Sequence, residues 1–408
     1  MQECYLPTGN EWVSLPTLQA CTGALESFSF LHMGHKGLIE QRGGASLPLM
    51  TPFFETEGER ASLQSLTWGR KSDWIPTFCG TAGSLAVEGM LLAPVGERGF
   101  LYQLTVRSTS DKPLSPTFGL EGCWASAWHC VNEDKEIDGA RRCYTSLWND
   151  SLIFDMRCGL PLFAFAPMMD QPCSSTFQET DAGIVYRLAH NCTLEPGQAV
   201  TVTFYWGVGF EEVAAATSAK EMLRQGWQHE LQVTTDWLDA RRWPIPDAQL
   251  ERLYNTNLFF CLFYSAGITL DTEELVLVTS RSPRYYVSAA YWDRDSLLWS
   301  FPTVVDADPA LARRMLDYVF GRQRRNLGVH SRYIDGTVLE PGFELDELMA
   351  PVLALERYVG ATGDRDCLED NAIRSGLTDI LRTLRTKRHR SIALYETFLQ
   401  PTDDVRSY

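Results

Sequence analysis

The chain has 408 residues, 45% of them hydrophobic and 22% charged, which excludes a mainly disordered chain and predicts two or three domains at roughly 150 residues each. Its net charge of −16 excludes a general nucleic-acid binder, which needs basic surface to displace counterions from phosphates. The 12 Trp, 15 Tyr and 20 Phe instead favour a neutral ligand held against aromatic faces.

The first residues, from Met1 to Pro16, lack a basic stretch followed by an apolar core, so no signal peptide is expected. The 11 cysteines form no C-x-x-C pair and no Cys/His set with zinc spacing. A reducing, cytoplasmic setting is the economical expectation. No apolar run reaches the ~18 residues of a membrane span; the longest, Leu258–Phe263 and Leu348–Leu355, are short.

Residues 1–210 carry short alternating runs divided by turn residues. In one, Phe100, Tyr102, Leu104 and Val106 share a face; in another, Val200, Val202, Phe204 and Trp206 do. Glu195-Pro196-Gly197-Gln198 marks a turn before the second run. Several such strands predict an antiparallel β-sandwich over 1–210.

From Glu211 the period becomes helical. Helices are expected at Glu211–Gln225 and His229–Arg241, forming a helical linker over 211–246 that ends at Pro244 and Pro246. Asp247 then caps a helix whose stripe is Leu250, Leu253, Tyr254, Asn257, Leu258, Cys261 and Leu262. Further helices are expected at about Arg294–Val305, Pro309–Arg322, Leu345–Tyr358 and Arg365–Thr386. Two long connections, Thr269–Asp293 and Asn326–Glu344, stand out, because loops of that length in compact domains are usually functional. The basic runs Arg313–Arg325 and Arg382–Arg390 fall inside helical patterns and read as solvated helix faces.

Three segments place polar residues among aromatics. Tyr291-Trp292-Asp293-Arg294-Asp295-Ser296 sits at a loop-to-helix junction. It is either a capping cluster with an Asp–Arg ion pair, or a clamp in which Arg donates to hydroxyls, Asp accepts from them and Trp stacks on a sugar ring. The second segment runs from Ser331-Arg332-Tyr333 through Asp335-Gly336 to Phe343-Glu344-Leu345-Asp346-Glu347. Asp335-Gly336 reads as a turn, and the carboxylates suit either a helix start or hydroxyl binding. The third is Leu394-Tyr395-Glu396. An apolar setting there would raise the carboxyl pKa, as a general acid requires; the alternative is a solvent-facing carboxylate. No nucleophile elbow, zinc-protease motif or P-loop is present, no metal-ligand constellation appears, and no cofactor is implied.

Trp292-x-Arg294-Asp295, then Phe343-Glu344-Leu345-Asp346, then Tyr395-Glu396 resemble the six-hairpin glycosidases, and most of all enzymes of the glucoamylase and glycogen-debranching type. The resemblance implies an α+β multidomain protein. An N-terminal β-sandwich would be followed by an (α/α)6 toroid beginning at residue 247. About five of the toroid's twelve helices are expected in 247–408, an incomplete toroid and so a fragment of a longer enzyme. The resemblance further implies hydrolysis, by inversion, at the non-reducing end of an α-glucoside or related oligosaccharide. Trp292, Arg294 and Asp295, together with Phe343, Glu344 and Asp346, would bind substrate. Glu396 would be the catalytic general acid, and the general base would lie outside this chain. A disaccharide phosphorylase and a non-catalytic carbohydrate-binding protein remain alternatives.

Overall fold

The computed structural model describes residues 6–147 and 149–397 and divides into two compact units. The first comprises residues 1–30, 39–129 and 134–240; the second, 31–38, 130–133 and 241–408. The break between Ala240 and Arg241 places both expected linker helices with the β-rich unit.

In the first unit the paired strands of the eight- and five-stranded sheets are antiparallel. An eight-stranded sheet runs, in spatial order, through Ala140–Thr145, Leu152–Cys158, Leu160–Met169, Ala199–Gly209, Gly99–Ser108, Leu85–Leu92, Ile75–Ala82 and Leu63–Lys71. A five-stranded sheet is centred on Pro116–Trp124, and a six-stranded sheet contains Val13–Leu18 and Leu25–His32. The two alternating runs seen in the sequence are direct neighbours: Phe100 pairs with Trp206, Tyr102 with Phe204, Leu104 with Val202 and Val106 with Val200. Cross-strand pairs of aromatic and branched side chains are what hold such ladders together.

The sandwich has three sheets, and all three contribute to one aromatic core. Phe154 and Phe165 of the eight-stranded sheet stack at 4.6 Å. Trp124 of the five-stranded sheet meets Phe165 edge-on at 5.1 Å, and Phe28 of the six-stranded sheet does so at 5.3 Å.

Helices α1 (Glu212–Gln225) and α2 (Trp227–Asp239) follow. Ala215, Ala216 and Ala219 of α1 pack on Ile153, Ala164 and Ala166 of the eight-stranded sheet. Backbone meets backbone there: a Cβ on Gly207 would stand 2.1 Å from the Ala215 carbonyl oxygen.

The second unit is helical: α3 (Ala248–Tyr264), α4 (Phe301–Ala307), α5 (Pro309–Tyr318), α6 (Leu345–Thr362) and α7 (Asn371–Thr386). Asp247 caps α3 as expected, accepting from the N–H groups of Gln249 and Leu250 at 2.9 Å. Of the expected stripe on α3, only Leu258 and Leu262 are buried. Leu250 and Leu253 are 52% and 62% exposed, and the inward face is Asn255, Leu258, Phe259 and Leu262. The rotation follows from Asn255, whose side chain accepts from Trp243 N at 2.8 Å and donates to Trp243 O at 3.1 Å.

A π-helix, Arg294–Ser300, precedes α4, and a second, Val319–Gln323, extends α5. The long connection after Asn326 is a hairpin of Val329–Arg332 with Val338–Phe343. Its Asp335-Gly336 turn is as expected: Gly336 has φ +82°, and Asp335 accepts from Thr337 N at 2.8 Å. No helix among the described residues is long and apolar enough to cross a membrane.

Candidate functional site

The candidate site gathers at the start of the Arg294–Ser300 π-helix, the base of the 329–343 hairpin and the first turn of α6. Single-turn π-helices occur disproportionately at functional sites. The expected Asp–Arg cluster exists, with different partners. Arg294 is 3% exposed and reaches carboxylates of α6 and the residue before it. Its Nη1 donates to Asp346 Oδ2 at 2.8 Å and Glu344 Oε2 at 3.2 Å, and lies 3.7 Å from Glu347 Oε1. Asp293, fully buried, pairs with Arg332 and accepts from the Tyr291 hydroxyl at 2.5 Å.

Glu347 closes this arrangement. Its Oε2 accepts the backbone N–H of Asp293 at 2.6 Å and that of Arg294 at 3.3 Å. The carboxylates at the start of α6 therefore serve a second element, beyond any favourable meeting with their own helix dipole. Burial pushes the Glu347 carboxyl well above its usual range. Asp293 and Glu344 add to the shift, while Arg332 and Arg294 oppose it. Burial likewise raises the Tyr291 hydroxyl, followed by the charge of Asp293. The shift favours the protonated form of Glu347.

Glu344 is hydrogen-bonded through one oxygen and approached by a ring nitrogen at the other. Oε2 takes Arg294, and Oε1 lies 3.1 Å from His330 Nδ1. The His330 ring stands edge-on to Trp292 at 5.6 Å. Glu344, expected to bind hydroxyls, stands between Arg294 and His330.

Asp295 and Asp346 are half-buried, and Trp292 is buried. Asp295 accepts from Thr279 Oγ1 at 3.4 Å. The indole N–H of Trp292 and the hydroxyl of Ser296 are buried without an acceptor or donor among the described residues. A buried donor without a partner is costly, and a hydroxylated ligand would relieve it.

Glu396 departs from the expected burial. It is exposed, as are Leu394 at 62% and Tyr395 at 44%. The cause is local. Tyr395 forms an isolated bridge with Arg388, and Glu396 N donates to Lys387 O at 2.8 Å, folding the segment back on the end of α7. The segment nevertheless meets the site. Thr397 Oγ1 accepts from Leu345 N at 3.2 Å, and the Lys387 ammonium lies 4.3 Å from the centre of the Phe343 ring.

Arg332, Glu347 and His330 belong to this constellation but were not among the expected site residues. Arg332 and Glu347 lay within the quoted segments, and only the fold shows that they face Asp293.

The sequence matches no protein-family profile and no curated protein. Its structure is similar to that of a kojibiose phosphorylase from the human microbiome, with a TM-score of 0.60 and 12% identity, covering 93% of this chain and 56% of that one. It is also similar to a bacterial glucoamylase complexed with acarbose, with a TM-score of 0.53 and 11% identity, covering 94% of this chain and 59% of that one. The chain therefore spans little more than half the length of either structure. At such identities the likeness is one of fold alone.

Proposed function

We propose that this protein acts on the non-reducing end of an α-glucoside or related oligosaccharide. Trp292, Arg294 and Asp295 form the sugar clamp, with Asp346 and Phe343 beside it, and Glu344 holds Arg294 in place. Glu396 is the general acid. The observation that carries this reading is convergence. Three segments far apart in sequence meet through Arg294–Asp346 at 2.8 Å and Leu345–Thr397 at 3.2 Å. The first of these bonds is charge-assisted and fixes geometry, which is what a hydroxyl-reading site needs.

Inversion requires a second carboxylate ~6.5–9.5 Å from the acid, with a water between them. In this reading the helical unit is the first part of an (α/α)6 toroid, and the base lies outside the chain. The 56% and 59% coverage of the two solved structures is consistent with that division. The free thiols of the described cysteines fit a cytoplasmic setting.

The test is turnover and binding on maltose and related disaccharides. Glu396→Gln should lower kcat by at least 100-fold while sugar binding persists, because only proton donation in the transition state is lost. Asp295→Ala should damage both. Wild-type turnover in Glu396→Gln would overturn the assignment of the acid. Turnover that depends on inorganic phosphate and releases a sugar phosphate would establish the phosphorylase reading, which the similarity to a kojibiose phosphorylase favours. The exposure of Glu396 favours a third reading, a carbohydrate-binding protein; sugar binding unchanged by Glu396→Gln, without turnover, would establish it.

A further inference from the structure

The two basic runs, read from the sequence as solvated helix faces, come together in the helical unit. They border two adjoining clefts. One, of about 640 Å³, is lined by Arg314, Arg322 and Arg325 and by Glu274, Asp317 and Asp335. The other, of about 520 Å³, is lined by Arg324, Arg325 and Arg382 and by Asp379. Gly321 and Arg325 belong to both.

The charges do not balance. Asp335 lies 3.1 Å from Lys36, and Asp317 lies 3.0 Å from Arg313, so these carboxylates already face cations of their own. Glu274 takes Arg322. Arg325 donates to the carbonyl oxygens of Gly336 at 3.4 Å and Asp335 at 3.1 Å. Those bonds fix the guanidinium without neutralising it. Arg314 is exposed, and no ion pair to it is formed among the described residues. Across Gly321, Asp379 alone among the described residues pairs with both Arg324 at 2.7 Å and Arg382 at 2.8 Å. A local excess of guanidinium in a chain of net charge −16 needs an explanation beyond solubility.

The lining also differs from that of the clamp. Its one aromatic residue, Tyr318, is 7% exposed and donates its hydroxyl to Ile334 O, so there is no open ring face on which a neutral sugar could stack. A pre-oriented guanidinium beside a cavity of this size suits a compact anion with paired oxygens. We propose that this double cleft binds a small phosphate ester, with Arg325 and Arg314 on the phosphoryl oxygens and the organic part filling the larger cleft.

Gly321 provides the test. Its φ is ordinary, and a Cβ there would meet no atom within 4 Å. A longer side chain would therefore enter both clefts without strain or loss of charge. Calorimetric titration of the whole chain at low salt would use glucose 6-phosphate, inorganic phosphate and glucose. Saturable binding of glucose 6-phosphate is expected, with weaker binding of inorganic phosphate and none of glucose. Gly321→Gln and Arg314→Ala should each weaken glucose 6-phosphate at least tenfold, and Asp295→Ala should leave it unchanged. Equal affinity in the wild type and Gly321→Gln would overturn the proposal. So would loss of binding in Asp295→Ala, which would place the ester in the clamp. Tight binding of an RNA oligonucleotide with no ester bound would overturn it as well.

Discussion

Glu347 on α6 accepts the backbone N–H of Asp293 at 2.6 Å, joining residues 54 apart in sequence. This glutamate is fully buried and burial raises its pKa, which favours the neutral form, whose carbonyl oxygen can accept both N–H groups. Glutamine should therefore replace it well. Glu347→Gln is expected to change unfolding stability by less than about 1 kcal/mol. Glu347→Leu should cost about 2–4 kcal/mol, because two buried N–H groups lose their acceptor. Urea denaturation of the two variants checks this; equal losses would contradict a neutral Glu347.

Arg332 supports the same site from the hairpin. It is fully buried, pairs with Asp293, and lies 4.8 Å from the centre of the Tyr291 ring. Arg332→Met would leave the Asp293 carboxylate buried without its cation, at a cost of about 3–5 kcal/mol. Adding Asp293→Asn should recover part of that loss, since it removes the uncompensated charge. A double-mutant cycle measures the coupling, and strict additivity would show that the pair does not act as a unit.

In the β-rich unit, Glu230 of α2 is 3% exposed, and its Oε1 has no partner among the described residues. Burial raises its pKa from 4.5 to about 7, with the charges of Glu97 and Glu221 adding to the shift. The folded chain thus keeps a proton that the unfolded chain loses above pH 4.5. Its contribution is complete below that pH and falls away as the pH rises to about 7. The loss is about 3 kcal/mol across that window. Glu230→Gln should flatten this part of the stability profile and raise the melting temperature at pH 8. An unchanged slope between pH 5 and 7 would rule the assignment out.

Gly207 allows α1 to lie directly on the sheet. Since a Cβ there would stand 2.1 Å from the Ala215 carbonyl oxygen, Gly207→Ala must push the helix away. The expected loss is about 2–3 kcal/mol, in the range for overpacked cores. Gly197→Ala is the contrast. That glycine has φ +77° but an empty surround, so its cost is backbone strain alone, about 1 kcal/mol. Thermal unfolding of both variants separates the two mechanisms.

Elements set by local chemistry were readable in advance. The 99–108 and 199–209 strands alternate because each lies on a pleated sheet, and the Asp247 cap and the Asp335-Gly336 turn are short-range hydrogen bonding. The partners of Arg294 were not readable, because an arginine between two aspartates looks like a local ion pair. Its carboxylates, Asp346 and Glu344, are about fifty residues away and depend on how α6 packs. The same limit explains α3, where the bonds between Asn255 and Trp243 turn the helix away from its most apolar stripe. Glu396 illustrates the converse: an apolar neighbourhood in sequence did not become one in space, because the chain folds back on Lys387.

The Arg294–Ser300 π-helix carries a further implication. Each residue of an α-helix advances the next side chain by about 100° around the axis. Removing one residue within those seven would let the segment relax to an α-helix, and everything before it would rotate by about that angle relative to α4. Trp292 and Asp295 would then point away from the carboxylates of α6 while every side chain of the clamp remained in the sequence. Substitution of the exposed Trp299 within this stretch should therefore be far easier to accommodate than a change in its length.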